Sequence, residues 1–169
     1  MLHLIANRIP RPLHRRLYKI ANWARSLWWR VFQPTVHGCR VIALDEADRV
    51  LLIRQTYGSR DWVAPGGSIA RREDPVHTAH RELAEETGCA LSQARKVAEV
   101  LERPMGAYNV VHIVVGRASG KMAPDRREVD EARWFALDAL PTDTSPRITA
   151  GLDDWVAAWR SGHDHSSES

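Results

Sequence analysis

The stretch Gly66–Cys89, GGSIARREDPVHTAHRELAEETGC, decides how this chain is read. A glycine pair behind Pro65 suits a tight turn in which backbone comes close to another group. Asp74 stands where an N-cap belongs, Pro75 fits the first helical position, and Gly88 supplies a stop. The spacing predicts a helix between them, with Val76, Ala79, His80, Leu83 and Thr87 as its inward stripe. His77 is accordingly expected at the surface and His80 in the core. Glu82, Glu85 and Glu86 fall at i, i+3 and i+4, so their carboxylates share a neighbouring face. Three like charges so close repel one another unless a hard divalent cation sits among them, and Mg²⁺ or Mn²⁺ takes oxygen ligands of this kind. For three glutamates alone, a solvated acidic face is the better account.

The surrounding pattern changes that balance. Written G-x5-E-x7-R-E-U-x-E-E-x-G-U, with U a bulky apolar residue, it is met at Gly67, Glu73, Arg81, Glu82, Leu83, Glu85, Glu86 and Gly88. Only the last position departs, with Cys89 in place of Ile, Leu or Val. Chance would align the fixed residues roughly once in 10⁸ starts. The stretch resembles the Nudix box, the signature of hydrolases acting on nucleoside diphosphates linked to a further group. The resemblance implies an α/β/α sandwich with a mixed sheet over about residues 36 to 160. It also implies metal ligation by Glu82, Glu86 and the Gly66 carbonyl oxygen, with Glu85 serving a further metal directly or through water. Arg81 and Glu85, four apart, can pair and fix that glutamate's orientation, and Glu73 is expected to brace the loop. The general base is open between a box glutamate such as Glu85 and a distal carboxylate. Glu128 occupies a place where several relatives carry an additional metal-binding glutamate, with Asp130 and Glu131 as alternatives and plain solvation as the competing account.

Around the box, the chain reads as an α/β domain. Val36–Leu44 and Arg49–Gln55 form a predicted hairpin across the polar turn Asp45–Asp48, and their continuous apolar centres suit strands covered on both faces. Trp62–Pro65 reads as a short strand delivering the glycines. Lys96–Leu101, Asn109–Val115 and Glu131–Leu137 are further strands, with Ala118–Val129 a loop, and a helix is predicted from Pro146 to Arg160. His112, within a strand, reads as a packed side chain. Residues 161–169 are a polar tail, which gives three segments: a leader over 1–34, the domain over 35–160, and the tail.

The leader is distinctive. Residues 1–44 hold eight Lys and Arg and no Asp or Glu, although the net charge of the whole chain is only +3. From Pro12 to Val31 a helix is predicted, with Leu13, Leu17, Ile20, Ala24, Leu27 and Val31 in one stripe and Trp23, Trp28 and Trp29 beside basic residues. Packing on the domain, a homodimer contact, peripheral membrane contact through residues 11–32 and a targeting presequence all compete as explanations. No run of eighteen apolar residues exists to span a membrane. Two cysteines, Cys39 and Cys89, make neither a disulfide framework nor a zinc site, so a reducing, cytoplasmic setting is the expectation.

The expected activity is Mg²⁺-dependent cleavage of a pyrophosphate bond in a small nucleotide, with no specific nucleic-acid partner. A sugar-linked nucleoside diphosphate such as ADP-ribose is preferred, because Pro104 lies fifteen residues beyond Cys89, as in some relatives that cleave it. Nucleoside triphosphate pyrophosphohydrolysis and a turnover-free nucleotide sensor are the alternatives. Trp62, Tyr57 and Tyr108 are read either as base-stacking residues or as core.

Overall fold

The computed structural model describes residues 35–103, 108–124 and 126–164. The predicted leader helix, Pro104 and the end of the tail lie outside these residues. Six strands, Thr35–Leu44 (β1), Val50–Gln55 (β2), Gly66–Ser68 (β3), Ala90–Glu102 (β4), Tyr108–Ser119 (β5) and Val129–Phe135 (β6), form one mixed sheet. Three helices complete the described elements: Pro75–Thr87 (α1), Pro146–Thr149 (α2) and Leu152–Asp164 (α3).

The sheet order is β4-β5-β1-β2-β6, with β3 attached to β1 beside this path. The central strand β1 runs parallel to β5, from Thr35 opposite Tyr108 to Leu44 opposite Arg117. On its other edge β1 meets β2 at Leu44 and β3 at Gly38–Arg40, both antiparallel. Alternation along the strands gives each face its own core. Cys39, Val41, Ala43, Leu51 and Val114 pack with Ala79 and Leu83 of α1. Ile42, Leu44, Val50, Leu52, Ile113 and Val115 pack with Ile148 of α2 and with Leu152, Trp155, Val156 and Trp159 of α3. The architecture is an α/β/α sandwich, and the apolar runs of β1 and β2 are covered on both sides as their sequence requires.

Several boundaries differ from the sequence reading. The glycines themselves make the strand, since β3 pairs Gly66 with Arg40 and Gly67 with Cys39, while Trp62 and Val63 make only isolated bridges. β4 begins at Ala90, directly after α1, and β5 continues to Ser119 through what read as loop. Register shifts at Ser92/Arg95 and Lys96/Ala98 explain why period-two alternation fails at the start of β4. The last helix divides at Ala150–Gly151, where a side chain on Gly151 would meet the Trp155 ring, and it runs on to Asp164. Among the described residues, no helix is long and apolar enough to cross a membrane.

Candidate active site

The α1 helix is placed by local chemistry. The Asp74 carboxylate accepts from the N–H groups of Val76 (2.8 Å) and His77 (3.2 Å), and Gly88, at φ 74°, closes the other end through its N–H to Ala84 O. Ala79, Leu83, Glu86 and Thr87 face the sheet. His80 does not: it is exposed, a correction to its expected place in the stripe. It stands one helical step, about 100°, from Ala79, and Ala79 and Leu83 set the buried direction. His77 is exposed as expected and lies 3.4 Å from Glu73.

β1 seats the glycine turn against this helix. Val41 N–H donates to Pro65 O at 2.8 Å. Gly66 N–H donates to Glu86 Oε2 at 3.0 Å, and Glu86 is only 6% exposed. Gly67 comes so close to Glu82 that any Cβ there would collide with its carboxylate. Gly66, at φ 153°, has Cys39 O where its own Cβ would be, so both glycines are required by close approach. Glu82 and Glu86, one turn apart on α1, thus converge on the same two residues.

Glu85 points elsewhere. Its side chain is 51% exposed, against 15% for Glu82. The expected Arg81–Glu85 pairing exists at 3.4 Å, but Arg81 Nη1 sits nearer Glu82, at 2.7 Å, and Arg81 Nε lies 3.2 Å from Glu73. One guanidinium therefore spans three carboxylates and offsets the repulsion within the box. Although partial burial opposes it, the hydrogen bonds to Glu73 and Glu82 hold the Arg81 pKa above its ordinary value. Glu73 accepts from Ala70 N–H at 3.0 Å, so it does brace the loop. That backbone bond, with Arg81 next, lowers the Glu73 carboxyl pKa to about 2.

Among the described residues, no three His, Cys, Asp or Glu side chains are already gathered to hold a metal. The donor set at the glycine turn nonetheless fits a hard divalent cation. Glu82 and Glu86 offer carboxylate oxygens at the Gly66–Gly67 backbone, with the Glu86 carboxylate buried. Cys39 lies under the N-terminus of α1, donating to Pro75 O, and burial followed by the Glu82 charge raises its thiol pKa to about 12. It is no nucleophile at neutral pH.

The distal carboxylates separate. Glu128 is exposed just before β6, and its backbone carbonyl accepts from Thr56 N–H at 2.9 Å, which fixes the chain there to the end of β2. Glu131 lies 2.8 Å from Arg133, and Asp130 lies 4.0 Å from Arg60. Of the aromatic candidates, Trp62 is core at 3% exposure, under the Arg54 guanidinium, whereas Tyr108 lies beneath Arg103. Sequence reasoning missed Arg40. Its backbone faces Gly66 across β1–β3, and its side chain is tied to Glu102 at 2.8 Å and to Arg147 O. The arginine's place within an apolar strand gave no signal of this.

A mixed-sheet sandwich whose glycine turn abuts two helix-borne glutamates sets the class of fold. The chain belongs to the Nudix family: the NUDIX domain model matches residues 35–157. It is 34% identical over 127 residues to the mRNA-decapping enzyme subunit 2 of Arabidopsis thaliana, a match covering 70% of this chain and 34% of that protein. It is 27% identical over 120 residues to the ADP-ribose pyrophosphatase of Bacillus subtilis, covering 69% of this chain and 64% of that one. The chain thus spans about a third and somewhat under two thirds of these relatives' lengths. Among solved structures, the MutT NUDIX hydrolase of Burkholderia pseudomallei aligns with a TM-score of 0.63 at 26% identity, covering 70% of this chain and 96% of that one. Nudix hydrolases generally use divalent metal ions and act on small nucleotide substrates.

Proposed function

We propose that this chain hydrolyses a pyrophosphate bond in a nucleoside diphosphate derivative, of the ADP-ribose or nucleotide-sugar type, with Mg²⁺ bound and Mn²⁺ able to replace it. The observation that carries this reading is the convergence of Glu82 and Glu86 on the Gly66–Gly67 turn. A pyrophosphate resists hydroxide because its own negative oxygens repel the attack. Glu82, Glu86 and the Gly66 carbonyl would hold the divalent metal, with Glu85 serving a further metal directly or through water, and the bound metal would neutralise phosphate charge and make a water more acidic. The chain's own residues do the rest. Gly67, lacking a side chain, leaves Glu82 room at the turn, and Gly66 N–H orients Glu86. Arg81 serves as counter-charge, keeping Glu82 and Glu85 poised on one side of the helix. A box glutamate, Glu85, or Glu128 from the segment before β6 accepts the proton of the attacking water.

The two relatives, one named for decapping mRNA and the other for ADP-ribose, favour a nucleotide substrate and leave the leaving group to experiment. The test is phosphatase-coupled phosphate release over a panel of ADP-ribose, nucleotide sugars and nucleoside triphosphates, with Mg²⁺ and with EDTA. Turnover of a diphosphate derivative that stops on chelation is the expected result. Undiminished turnover in EDTA overturns the metal mechanism. Preference for triphosphates overturns the substrate class, and metal-dependent nucleotide binding without turnover overturns the enzymatic reading.

A further inference from the structure

The box carries two cations that its own acids do not use. Between β3 and α1 the chain closes a four-residue turn from Ala70 to Glu73. Glu73 N–H donates to Ala70 O at 2.9 Å, and Ala70 N–H donates to Glu73 Oε2 at 3.0 Å. The two residues inside the turn are Arg71 and Arg72, both exposed. Neither side chain has a hydrogen bond or ion pair among the described residues, whereas Arg40, Arg54, Arg81, Arg117 and Arg160 are each paired with a carboxylate.

Their isolation is built into the turn. The carboxylates nearest in sequence are engaged elsewhere: Glu73 by Ala70 N–H and Arg81, and Asp74 by the N–H groups of Val76 and His77. Glu82 and Glu85 face Arg81. All three nitrogens of Arg81 in turn face carboxylates, so that guanidinium is committed within the box.

The turn also holds Arg72 in a conformation unfavourable to a side chain. Its φ is 70°, while Arg71 lies outside the positive region, the pattern of a type II turn, whose third residue is ordinarily glycine. A Cβ at such a φ costs stability. Asp48 and Arg126, also at positive φ, have side-chain bonds that offset this cost, Asp48 to Arg117 and Arg126 to Asp130 O. Arg72 has no such bond among the described residues. A guanidinium kept under strain without a partner in its own domain is available to one outside it.

The turn stands beside the candidate site. It follows β3 directly, with Ile69 N–H bonded to His37 O, and Glu73 links it through Arg81 to Glu82. Guanidinium groups take phosphate oxygens through paired N–H bonds, and their charge persists across the working pH range. We propose that Arg71 and Arg72 bind the phosphate groups of the incoming nucleotide and set its affinity rather than its chemistry. The identity of that ligand rests on the hydrolysis proposed above, while the two residues lie outside the glutamate pattern that carries it.

The experiment uses the full chain with Mg²⁺ and two variants. Arg72→Gly removes one charge and relieves the turn, and Arg71→Gln removes the other charge at an ordinary φ. For the best substrate of the nucleotide panel, KM should rise about tenfold in each variant while kcat stays within about twofold, the mark of binding lost equally from ground and transition states. Calorimetric binding of inorganic pyrophosphate should weaken by a similar factor, and the gap from the parent chain should narrow as salt is raised. The Tm of Arg72→Gly should hold or rise, because glycine suits the position. A fall of more than about 3 °C would make Arg72 a structural residue and overturn its role in binding. A loss confined to kcat overturns it too, as do KM and pyrophosphate affinity both within about twofold of the parent, for whichever arginine shows them. If pyrophosphate binding depends on the arginines and no nucleotide is turned over, their role stands and the hydrolysis fails. If turnover and pyrophosphate binding are normal in both variants, the hydrolysis stands and their role fails.

Discussion

Gly67→Ala tests the site while leaving the fold almost untouched. The added Cβ would stand 2.5 Å from Glu82 Cδ and 2.8 Å from Glu82 Oε2. Carbon–carbon contact needs about 3.5 Å, so the carboxylate must withdraw by about 1 Å. It is the mobile end of a side chain and can do so. Gly67 also has no positive φ, and its backbone accepts alanine. The withdrawal disturbs the Arg81–Glu82 contact, a partly exposed ion pair worth at most about 1 kcal/mol. For a domain of this size, that corresponds to a Tm loss of about 4 °C or less. Activity should suffer far more, since a misplacement of about 1 Å at a reacting centre costs on the order of 10²-fold. Phosphate release at saturating Mg²⁺, beside a thermal melt, separates the two effects. Gly66→Ala is the contrast: its Cβ falls on the Cys39 carbonyl at φ 153°, so it should lose stability and activity together. If Gly67→Ala folds normally and keeps more than about a third of the rate, the position of Glu82 is not what catalysis requires.

Other outcomes follow from the same geometry. Glu86→Gln should lower the rate about 10³-fold while the metal-free melting temperature holds or rises, because three crowded anions become two; a rate above about a tenth of the original contradicts this. Glu73, with its pKa lowered from 4.5 to about 2, contributes stability that is present above 4.5 and lost as pH falls toward 2. In Glu73→Gln the melting temperature should be lower at neutral pH and flatter across that acid window, and superimposable curves would refute it. A chain beginning near Gln33 should keep metal binding and some activity but lose association, either salt-insensitive with a second copy or salt-sensitive with anionic vesicles. If sedimentation shows neither, both associations fall, and the truncation should instead lower the unfolding midpoint.

The box helix was legible because its limits are chemical: Asp74, Pro75 and Gly88 each satisfy or withhold particular backbone groups, whatever surrounds them. The hairpin arms were legible because burial on both faces demands apolar runs. What escaped was set by partners distant in sequence. Gly66–Ser68 has poor strand propensity and becomes a strand because Gly38–Arg40 presents an edge to it. Ala90–Arg95 looks like a loop because its bulges erase alternation. His80 was misplaced because a stripe read by spacing has no exact centre until the sheet supplies one. Within the site, the glutamate pattern and the Glu73 brace were visible, but the preference of Arg81 for Glu82 depends on side-chain direction, which spacing cannot distinguish.

The placement of the turn on β1 has a temporal consequence. β1 is aligned by its parallel partner β5, and Thr35 finds Tyr108 only after the entire box has been synthesised between them. Closing so long a loop is slow and is repaid only when both strands are in register. A nascent chain that has emerged as far as Cys89 holds β1, β3 and the whole box, but not the β5 strand that runs beside β1 over its full length. On the proposed function, metal affinity is therefore expected to strengthen late, and its onset during refolding would report the docking of β1 against β5 as well as the winding of α1.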